Sequence, residues 1–176
     1  MQADDPNGLR KYIRDISDFP RPGIVFRDLT PLLSDVGALR RAVQALAAPF
    51  QSQSLDYVVG TEARGFLFGV PVALQLGLGF VPVRKPGKLP HDTFEASYEL
   101  EYGRDHVHMH KDALHAGSRV LVVDDLIATG GTAAATVDLV RQSGAEVVGC
   151  AFVIELELLS GREVLGVEPC HTLIRY

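Results

Sequence analysis

The sequence is short of several residue types and patterns, and each shortage excludes a class of protein. It has no tryptophan and only two cysteines, Cys150 and Cys170, whose positions fit neither a zinc site nor a disulfide framework. Both fall in predicted strands, so we expect buried thiols in a reducing cytoplasm. No apolar run reaches the roughly 20 residues that a membrane-spanning helix needs, and the polar residues 1–10 are unlike a signal peptide.

Positive charge is also scarce. The 17 Lys and Arg residues are outnumbered by 22 Asp and Glu residues, which gives a net charge of −5. Nucleic-acid-binding proteins usually present a basic face, so we expect no nucleic acid and no membrane among the partners. The rest of the composition, 47% hydrophobic and 22% charged, is typical of a globular protein. The length predicts one domain, residues 1–176.

The most informative stretch covers residues 119–143. Val120–Val123 is a short apolar run without alternation, which is typical of a buried strand in a parallel sheet. Two acids, Asp124 and Asp125, stand where that strand is predicted to end. The small residues that follow can take positive φ and let a ligand approach the backbone closely. These residues, called the phosphate loop below, are Ala128, Thr129, Gly130, Gly131 and Thr132.

A helix is predicted after the phosphate loop. From Ala133 to Arg141 the apolar residues fall at helical spacing, and Gly144 is a suitable C-cap. Backbone N–H groups and the positive end of the helix dipole would then converge on the loop and cradle a phosphate. Asp124 and Asp125 would repel a phosphate but suit the vicinal hydroxyls of a ribose. The predicted ligand is therefore a ribose 5-phosphate.

Two more segments carry charges in positions that suit an anionic ligand. A strand at Asp56–Gly60 is followed by Glu62, Ala63 and Arg64 and then by an apolar helix to Leu76, so the charged pair sits where ligands bind in open α/β sheets. After a strand at Gly79–Arg84, a turn-rich cation loop contains three cations that either neutralise a diphosphate or form a solvated turn. They are Arg84, Lys85 and Lys88.

The remaining stretches predict a hairpin and further helices and strands. Thr93–Gly103 and Asp105–Lys111 read as hairpin arms, with Val107 and Met109 turned inward on the second. The alternating histidines there could instead build a zinc site, but a polar outer face is favoured. These histidines are His106, His108 and His110. The other predicted elements are a helix at Asn7–Ile16 capped by Asn7, a stiff irregular segment at Phe19–Pro31, a helix at Ser34–Phe50 capped by Ser34, and strands at Glu146–Ile154 and His171–Tyr176.

The strand, paired acids and Thr-Gly-Gly-Thr turn resemble the binding loop for phosphoribosyl diphosphate (PRPP) in type I phosphoribosyltransferases. An ordinary βα turn is the alternative. Four further motifs are similar to those of the adenine phosphoribosyltransferase family. They are F-P-x-P-G-I-x-F-R-D-x-T-P at 19–31, R-K-x-G-K-L-P at 84–90, A-S-Y-x-L-E-Y-G at 96–103 and E-L-x-x-L-x-G-R at 155–162.

The resemblance implies an α/β fold of the type I phosphoribosyltransferase kind, with a mostly parallel central sheet flanked by helices. It adds a small hood, from about residues 1–33 and a C-terminal segment, and a flap hairpin at about 85–111. It implies that Phe26 stacks on the purine and that Leu156 packs on the opposite face. The backbone of Val25 and Arg27 would bind the edge of the base.

The same resemblance assigns the diphosphate to Glu62, Ala63, Arg64, Arg84, Lys85, Lys88 and Tyr102. The family more often has Ser at position 63, and Ala63 loses that hydroxyl but no backbone donor. Glu101 is the candidate general acid–base for the attacking purine nitrogen. Mg²⁺ would travel with PRPP and have no direct protein ligand, and a homodimer is expected.

The implied reaction is the purine-salvage reaction of adenine with PRPP to give AMP and diphosphate. A 6-oxopurine phosphoribosyltransferase is the first alternative, but its base reverses the hydrogen-bonding pattern of adenine, and the Lys that would favour it is missing from Ile154–Arg162. The second alternative is a regulator that senses PRPP. Such a protein usually carries a DNA-binding domain or a basic RNA-binding face, and the sequence shows neither.

Overall fold

A five-stranded sheet forms the centre of the computed structural model, which describes residues 5–99, 103–167 and 169–176. In chain order the strands are β1 (Arg14–Ser17), β2 (Val25–Asp28), β3 (Tyr57–Thr61), β4 (Gly79–Val83), β5 (Thr93–Glu99), β6 (Arg104–His110), β7 (Arg119–Ile127), β8 (Glu146–Glu155) and β9 (Cys170–Arg175). The α-helices are α1 (Thr30–Ser34), α2 (Val36–Ala47), α3 (Arg64–Leu76), α4 (Gly131–Gln142) and α5 (Gly161–Leu165). None of the described helices is both long enough and apolar enough to span a membrane.

The central sheet has the order β4-β3-β7-β8-β9, and all its neighbouring strands run parallel. Strand β3 pairs with β7 only as far as Val123, whereas β8 continues beside β7 until Ile127 pairs with Glu155. The prediction that the strand ends at Val123 was therefore wrong. Asp124 and Asp125 lie inside β7, beyond the point where β3 leaves it. The longer β8 supplies the hydrogen-bonding partner that extends the strand.

Alternation along the strands explains why helices cover both faces of the sheet. Leu121 and Val123 pack with the core under α2 and α3, while Val120 packs with the core under α4 and the β5–β6 hairpin. A strand buried on both faces needs apolar residues at every position, which is the run seen in β7. This arrangement confirms the predicted α/β class with a parallel sheet.

The amino-terminal region differs from its predicted structure. A single 3₁₀ turn at Arg10–Tyr12 replaces most of the predicted helix, and the carboxylate of Asp5, not Asn7, accepts the N–H groups of Leu9 and Arg10. The chain then forms β1, which pairs antiparallel with β2 inside the segment predicted to be irregular. Hydrogen bonding between β1 and β2 has overridden a weak local helical pattern.

The predicted helix at Ser34–Phe50 is divided in the structure. Helix α1 ends at Ser34, and α2 begins at Val36 with Asp35 as its N-cap, whose carboxylate accepts the N–H of Ala38 at 2.7 Å. Ser34 instead donates its hydroxyl to the carbonyl of Pro31. The negative charge of a carboxylate at the N-cap also interacts favourably with the positive end of the helix dipole, whereas a serine hydroxyl has no charge.

Several other predictions are confirmed. Helix α3 ends at Leu76, β9 forms an edge of the central sheet, and β5 and β6 pair as an antiparallel hairpin. Val107 and Met109 are fully buried while the alternating histidines are half-buried. Cys150 and Cys170 are buried in the neighbouring strands β8 and β9.

Candidate active site

An open cleft lies at the carboxyl ends of β3 and β7, where ligands bind in parallel α/β sheets. It joins parts of the chain that are far apart in sequence: the end of β3, the cation loop, the flap strand β5 and the phosphate loop. The predicted site residues that line it are Glu62, Ala63, Arg64, Lys85, Asp124, Asp125, Ala128, Thr129, Gly130, Gly131 and Thr132. Sequence reasoning did not assign Tyr98, Leu126, Ile127 or Ala133, which also line it.

Asp124 and Asp125 form an acidic pair that lines the cleft, with Asp125 buried and Asp124 half-buried. The carboxylate of Asp124 accepts the N–H of Asp125 at 2.8 Å and lies against the first turn of α3, where a Cβ at Gly65 would come within 2.7 Å of it. Burial, reinforced by the negative charge of Asp125, raises the pKa of Asp124 well above its ordinary value. Burial also raises the pKa of Asp125, although the charge of Arg64 opposes it.

One carboxylate oxygen of this pair has no hydrogen bond to any described residue. Asp125 is only 3% exposed, and its Oδ2 atom is buried without a hydrogen bond. The Nε atom of Arg64 lies 3.0 Å from Oδ2, so the two charges attract, but the donor does not aim at the oxygen well enough for a hydrogen bond. A buried acceptor of this kind is costly unless something completes it, and a ligand hydroxyl would.

The phosphate loop owes its shape to two glycines. Gly130 has φ +82°, a left-handed conformation that favours glycine, and a Cβ there would overlap the carbonyl of Gly161 at the start of α5. A Cβ at Gly161 would in turn overlap the carbonyl of Ala128. Helix α4 begins directly after Gly130, and the first residues of the helix, which carry its unpaired N–H groups, line the cleft.

The cation loop is tied to the end of β3 through Glu62. Its carboxylate accepts Arg84 Nε at 3.0 Å and the Lys85 backbone N–H at 3.1 Å. Burial alone would raise the pKa of Glu62, but these two donors lower it. Among the described residues, neither Arg84 nor Lys88 lines the cleft, since Arg84 is turned towards Glu62 and Lys88 is exposed.

Among the predicted base-binding residues of the hood, Phe26 lies beside the cleft residue Arg64. The ring of Phe26 packs edge-to-face on Phe19 with 5.2 Å between centroids, and the guanidinium carbon of Arg64 lies 5.8 Å from the Phe26 centroid. Val25 is exposed, whereas Arg27 pairs with Asp15 and stacks over Tyr176.

The Leu156 N–H donates to the carbonyl of Ile127, a cleft residue immediately before the phosphate loop. Glu101 and Tyr102 lie outside the described residues.

Comparison with known proteins defines the family. Residues 34–163 match the phosphoribosyl transferase domain, so the chain belongs to the phosphoribosyltransferases. It is 56% identical over 168 residues to the adenine phosphoribosyltransferase of Methylococcus capsulatus, covering 96% of this chain and 98% of that protein. The crystal structure of adenine phosphoribosyltransferase from Rhodothermus marinus superposes with a TM-score of 0.90 at 54% identity, covering 96% of each chain.

A third relative is the adenine phosphoribosyltransferase of Saccharomyces cerevisiae, solved with adenine and an imino-altritol bisphosphate. It is 46% identical with a TM-score of 0.90, covering 94% of this chain and 96% of that one. Within its class the chain is thus a member of the adenine phosphoribosyltransferase family, which makes AMP and diphosphate from adenine and PRPP. The family, fold class and reaction predicted from the sequence are confirmed.

Proposed function

We propose that the cleft binds PRPP and that the hood segment around Phe26 holds adenine against it. The observation that carries this proposal is the acidic pair Asp124 and Asp125, with one buried oxygen that has no hydrogen bond, shortly before a glycine loop at a helix N-terminus. The pair matches ribose hydroxyls and the loop matches the 5-phosphate. Residues 1–176 would form one domain that carries out the whole reaction.

Product analysis tests this proposal directly. The protein is incubated with Mg²⁺ and PRPP together with adenine, hypoxanthine, guanine or uracil, and the nucleotide formed is identified. We expect AMP from adenine and no other product. A different nucleotide would leave the PRPP site standing and overturn the base assignment. PRPP binding without any product would favour a regulator.

The diphosphate needs cations because its departure leaves positive charge on the ribose. Arg64 and Lys85 line the cleft, and Arg84, Lys88 and Tyr102 complete the proposed set, together with the backbone of Glu62 and Ala63. Arg64 would exchange its imperfect contact with Asp125 for the diphosphate as PRPP enters. No protein nucleophile is required, since fixing the ribose and stabilising the leaving group are sufficient.

The residues of this site fit Mg²⁺ only when the ion binds together with PRPP. Within the described ranges, no three His, Cys, Asp or Glu side chains are grouped closely enough to hold a metal ion. Asp124 and Asp125 offer the oxygen ligands that Mg²⁺ prefers, but they are two, and Mg²⁺ usually keeps several waters and binds substrate phosphates. We therefore propose that they reach it through ribose hydroxyls or water. When bound, the metal neutralises the diphosphate charge.

Phe26→Ala is expected to raise the KM for adenine roughly 10- to 100-fold, the range that loss of base stacking on an aromatic ring produces. The KM for PRPP should stay within about twofold, because the ring lies outside the acidic pair and the phosphate loop. Steady-state kinetics with each substrate varied in turn measure both constants. Ser52→Ala, at an exposed position that follows α2, is the control. A matching rise in the KM for PRPP would show that the ring anchors the hood instead.

Glu101→Leu is expected to lower kcat about 100-fold, since general acid–base groups typically contribute that much. The KM for adenine should rise by a smaller factor. The mutant removes the group proposed to handle the proton of the attacking purine nitrogen. Glu99→Leu is a matched control two residues away, with its side chain in solvent. A change confined to the KM for adenine would remove the acid–base role from Glu101.

We propose that the chain forms a homodimer. Helix α3 carries an exposed apolar stripe formed by Leu67, Val70 and Leu74. Leu74 also lines a groove between α2 and α3, and the exposed Val36 of α2 lines the same groove. Contiguous exposed apolar residues mark interaction surfaces, and twofold homo-oligomers are the commonest assembly of soluble proteins. Sedimentation equilibrium measures the mass in solution, and a monomer at all concentrations would rule out this proposal.

A further inference from the structure

Among the three cations of the cation loop, Lys85 is the one that lines the cleft, and the flap holds it there. Its ammonium donates to the Tyr98 hydroxyl at 2.7 Å and to the Asp105 carboxylate, and Tyr98 donates to that same carboxylate at 2.9 Å. Tyr98 belongs to β5 and Asp105 to β6, so both arms of the flap hairpin contribute. The three side chains form a closed triangle of hydrogen bonds.

The triangle is fixed to its surroundings on two sides. The Tyr98 ring lies against the start of α4, where a Cβ at Gly131 would come within 3.3 Å of it. The backbones of Arg84 and His108 exchange two hydrogen bonds, at 2.9 and 2.7 Å, which join the cation loop to β6. The Lys85 ammonium is therefore held between the flap and the phosphate loop.

Hydrogen-bond counting shows what the triangle leaves for a ligand. A lysine ammonium has three N–H donors and no acceptor. Asp105 and Tyr98 take two of these donors, and the third remains for an anion in the cleft. The side chain of Lys85 is 34% exposed, so a ligand can reach it.

We propose that Asp105 is a positioning residue for diphosphate recognition, because it orders the Lys85 ammonium with one N–H directed to the ligand. This inference rests on the proposed function, in which Lys85 binds the diphosphate. A free lysine side chain has rotamer entropy that binding would otherwise have to overcome. A side chain that is already ordered loses less on binding.

The charge state of the pair supports this role. The hydrogen bond from Lys85 holds the pKa of Asp105 at about 2, so the carboxylate stays ionised throughout the working range of an enzyme. Burial alone would lower the pKa of Lys85, but Asp105 and Tyr98 reverse this and raise it. Lys85 therefore remains a cation while it waits for the diphosphate.

A double-mutant cycle tests the inference, because it separates an effect that passes through Lys85 from one that does not. The variants are Asp105→Ala, Lys85→Ala and the double mutant, with kcat and the KM for PRPP measured for each. Glu95→Ala is the control, since Glu95 is another acid of the same hairpin but pairs with His106 outside the cleft. The melting temperature of every variant is measured alongside.

We expect Asp105→Ala to raise the KM for PRPP roughly tenfold while kcat stays within about twofold. The double mutant should match Lys85→Ala alone, because the proposed effect of Asp105 on PRPP passes through Lys85. A further contact of Asp105, with the His106 N–H at 2.8 Å, lies within β6 and does not involve Lys85. Glu95→Ala should behave like the wild type.

Three results would overturn the inference. Effects that multiply in the double mutant would give Asp105 a general structural role. A lower KM for PRPP in Asp105→Ala would show that the carboxylate competes with the diphosphate for Lys85. Wild-type kinetics in Lys85→Ala would remove Lys85 from the proposed function and the positioning role with it, whereas the first two results leave that function intact.

Discussion

Replacing Asp125 with asparagine is expected to lower kcat/KM for PRPP about 100-fold and to leave the protein at least as stable as the wild type. Each hydrogen bond between a charged acceptor and a ligand hydroxyl contributes about 1.5–3 kcal/mol, and tenfold in rate corresponds to about 1.4 kcal/mol. Asparagine keeps the shape of Asp125 but has one acceptor oxygen and no charge. The proposed ribose contacts therefore weaken while the fold stays intact.

The stability half of this prediction follows from the pKa shifts of Asp124 and Asp125. Burial raises both, so the folded protein binds protons that the unfolded chain has released. A raised pKa contributes stability below the ordinary value of 3.8, and that contribution is lost as the pH rises through the folded value. The asparagine in Asp125→Asn does not ionise, so the mutant avoids the part of this stability loss that comes from ionising Asp125 in a buried position. The melting temperature of the mutant relative to the wild type should therefore increase from pH 4 towards neutrality.

Steady-state kinetics test the predicted fall in kcat/KM for PRPP, and melting curves test the predicted stability, with Asp125→Asn compared with the control Asp138→Asn. Asp138 is an exposed acid on α4, and its mutant should match the wild type in both measurements. Unchanged activity in Asp125→Asn would mean that the acidic pair does not bind the ribose. A melting temperature well below that of the wild type would mean that Asp125 is needed mainly for the fold.

Gly161→Ala is expected to have an effect of similar size by a different route. The added Cβ would overlap the Ala128 carbonyl and come within 2.8 Å of the Gly130 nitrogen, and both neighbours are backbone atoms that cannot rotate away. Overpacking of this kind costs about 1–3 kcal/mol, so the phosphate loop must move. We expect kcat/KM for PRPP to fall about 100-fold, since misdirected N–H groups no longer converge on the 5-phosphate.

Val164→Ala is the control for this mutant because it lies on the same helix, α5, and is 57% exposed. Kinetics at varied PRPP and saturating adenine measure the effect on the loop, and near-ultraviolet circular dichroism checks that the fold survives. A KM for PRPP equal to that of the wild type would show that the loop tolerates the displacement. It would also remove Gly161 from the set of residues that shape the site.

Most of the fold was predictable because its signals are local. The apolar run in β7, the glycine loop and the helical spacing after it lie within 25 residues of one another, and the structure keeps them in that order. The hood strands were missed because β1 acquires its structure only from β2, whose partner residues lie about ten positions along the chain. A single-sequence pattern does not contain such a pairing.

The site was predictable to the extent that each residue carries its own chemistry. Paired acids, cations and glycines can be recognised in the sequence by residue type alone, and the cleft brings most of them together. The triangle of Lys85, Tyr98 and Asp105 was missed because only tertiary packing brings a hairpin and a loop into contact. The alternation of β5, which turns Ala96 and Tyr98 to the same face, was the sequence signal that could have placed Tyr98 towards the inside of the flap. Gly161 was missed for the same reason, since its need for glycine depends on the backbone of a distant loop.

The carboxylate of Glu155 links the phosphate loop to the very end of the chain. It accepts two hydrogen bonds from Arg162, at 3.0 and 2.6 Å, and one from Thr172 at 2.9 Å, which fixes α5, and Gly161 with it, to the last strand.

Strand β9 contributes none of its described residues to the cleft, yet through Glu155 and α5 it supports the Gly161 backbone that packs against the phosphate loop. The phosphate loop is therefore braced by a strand that lies outside the cleft.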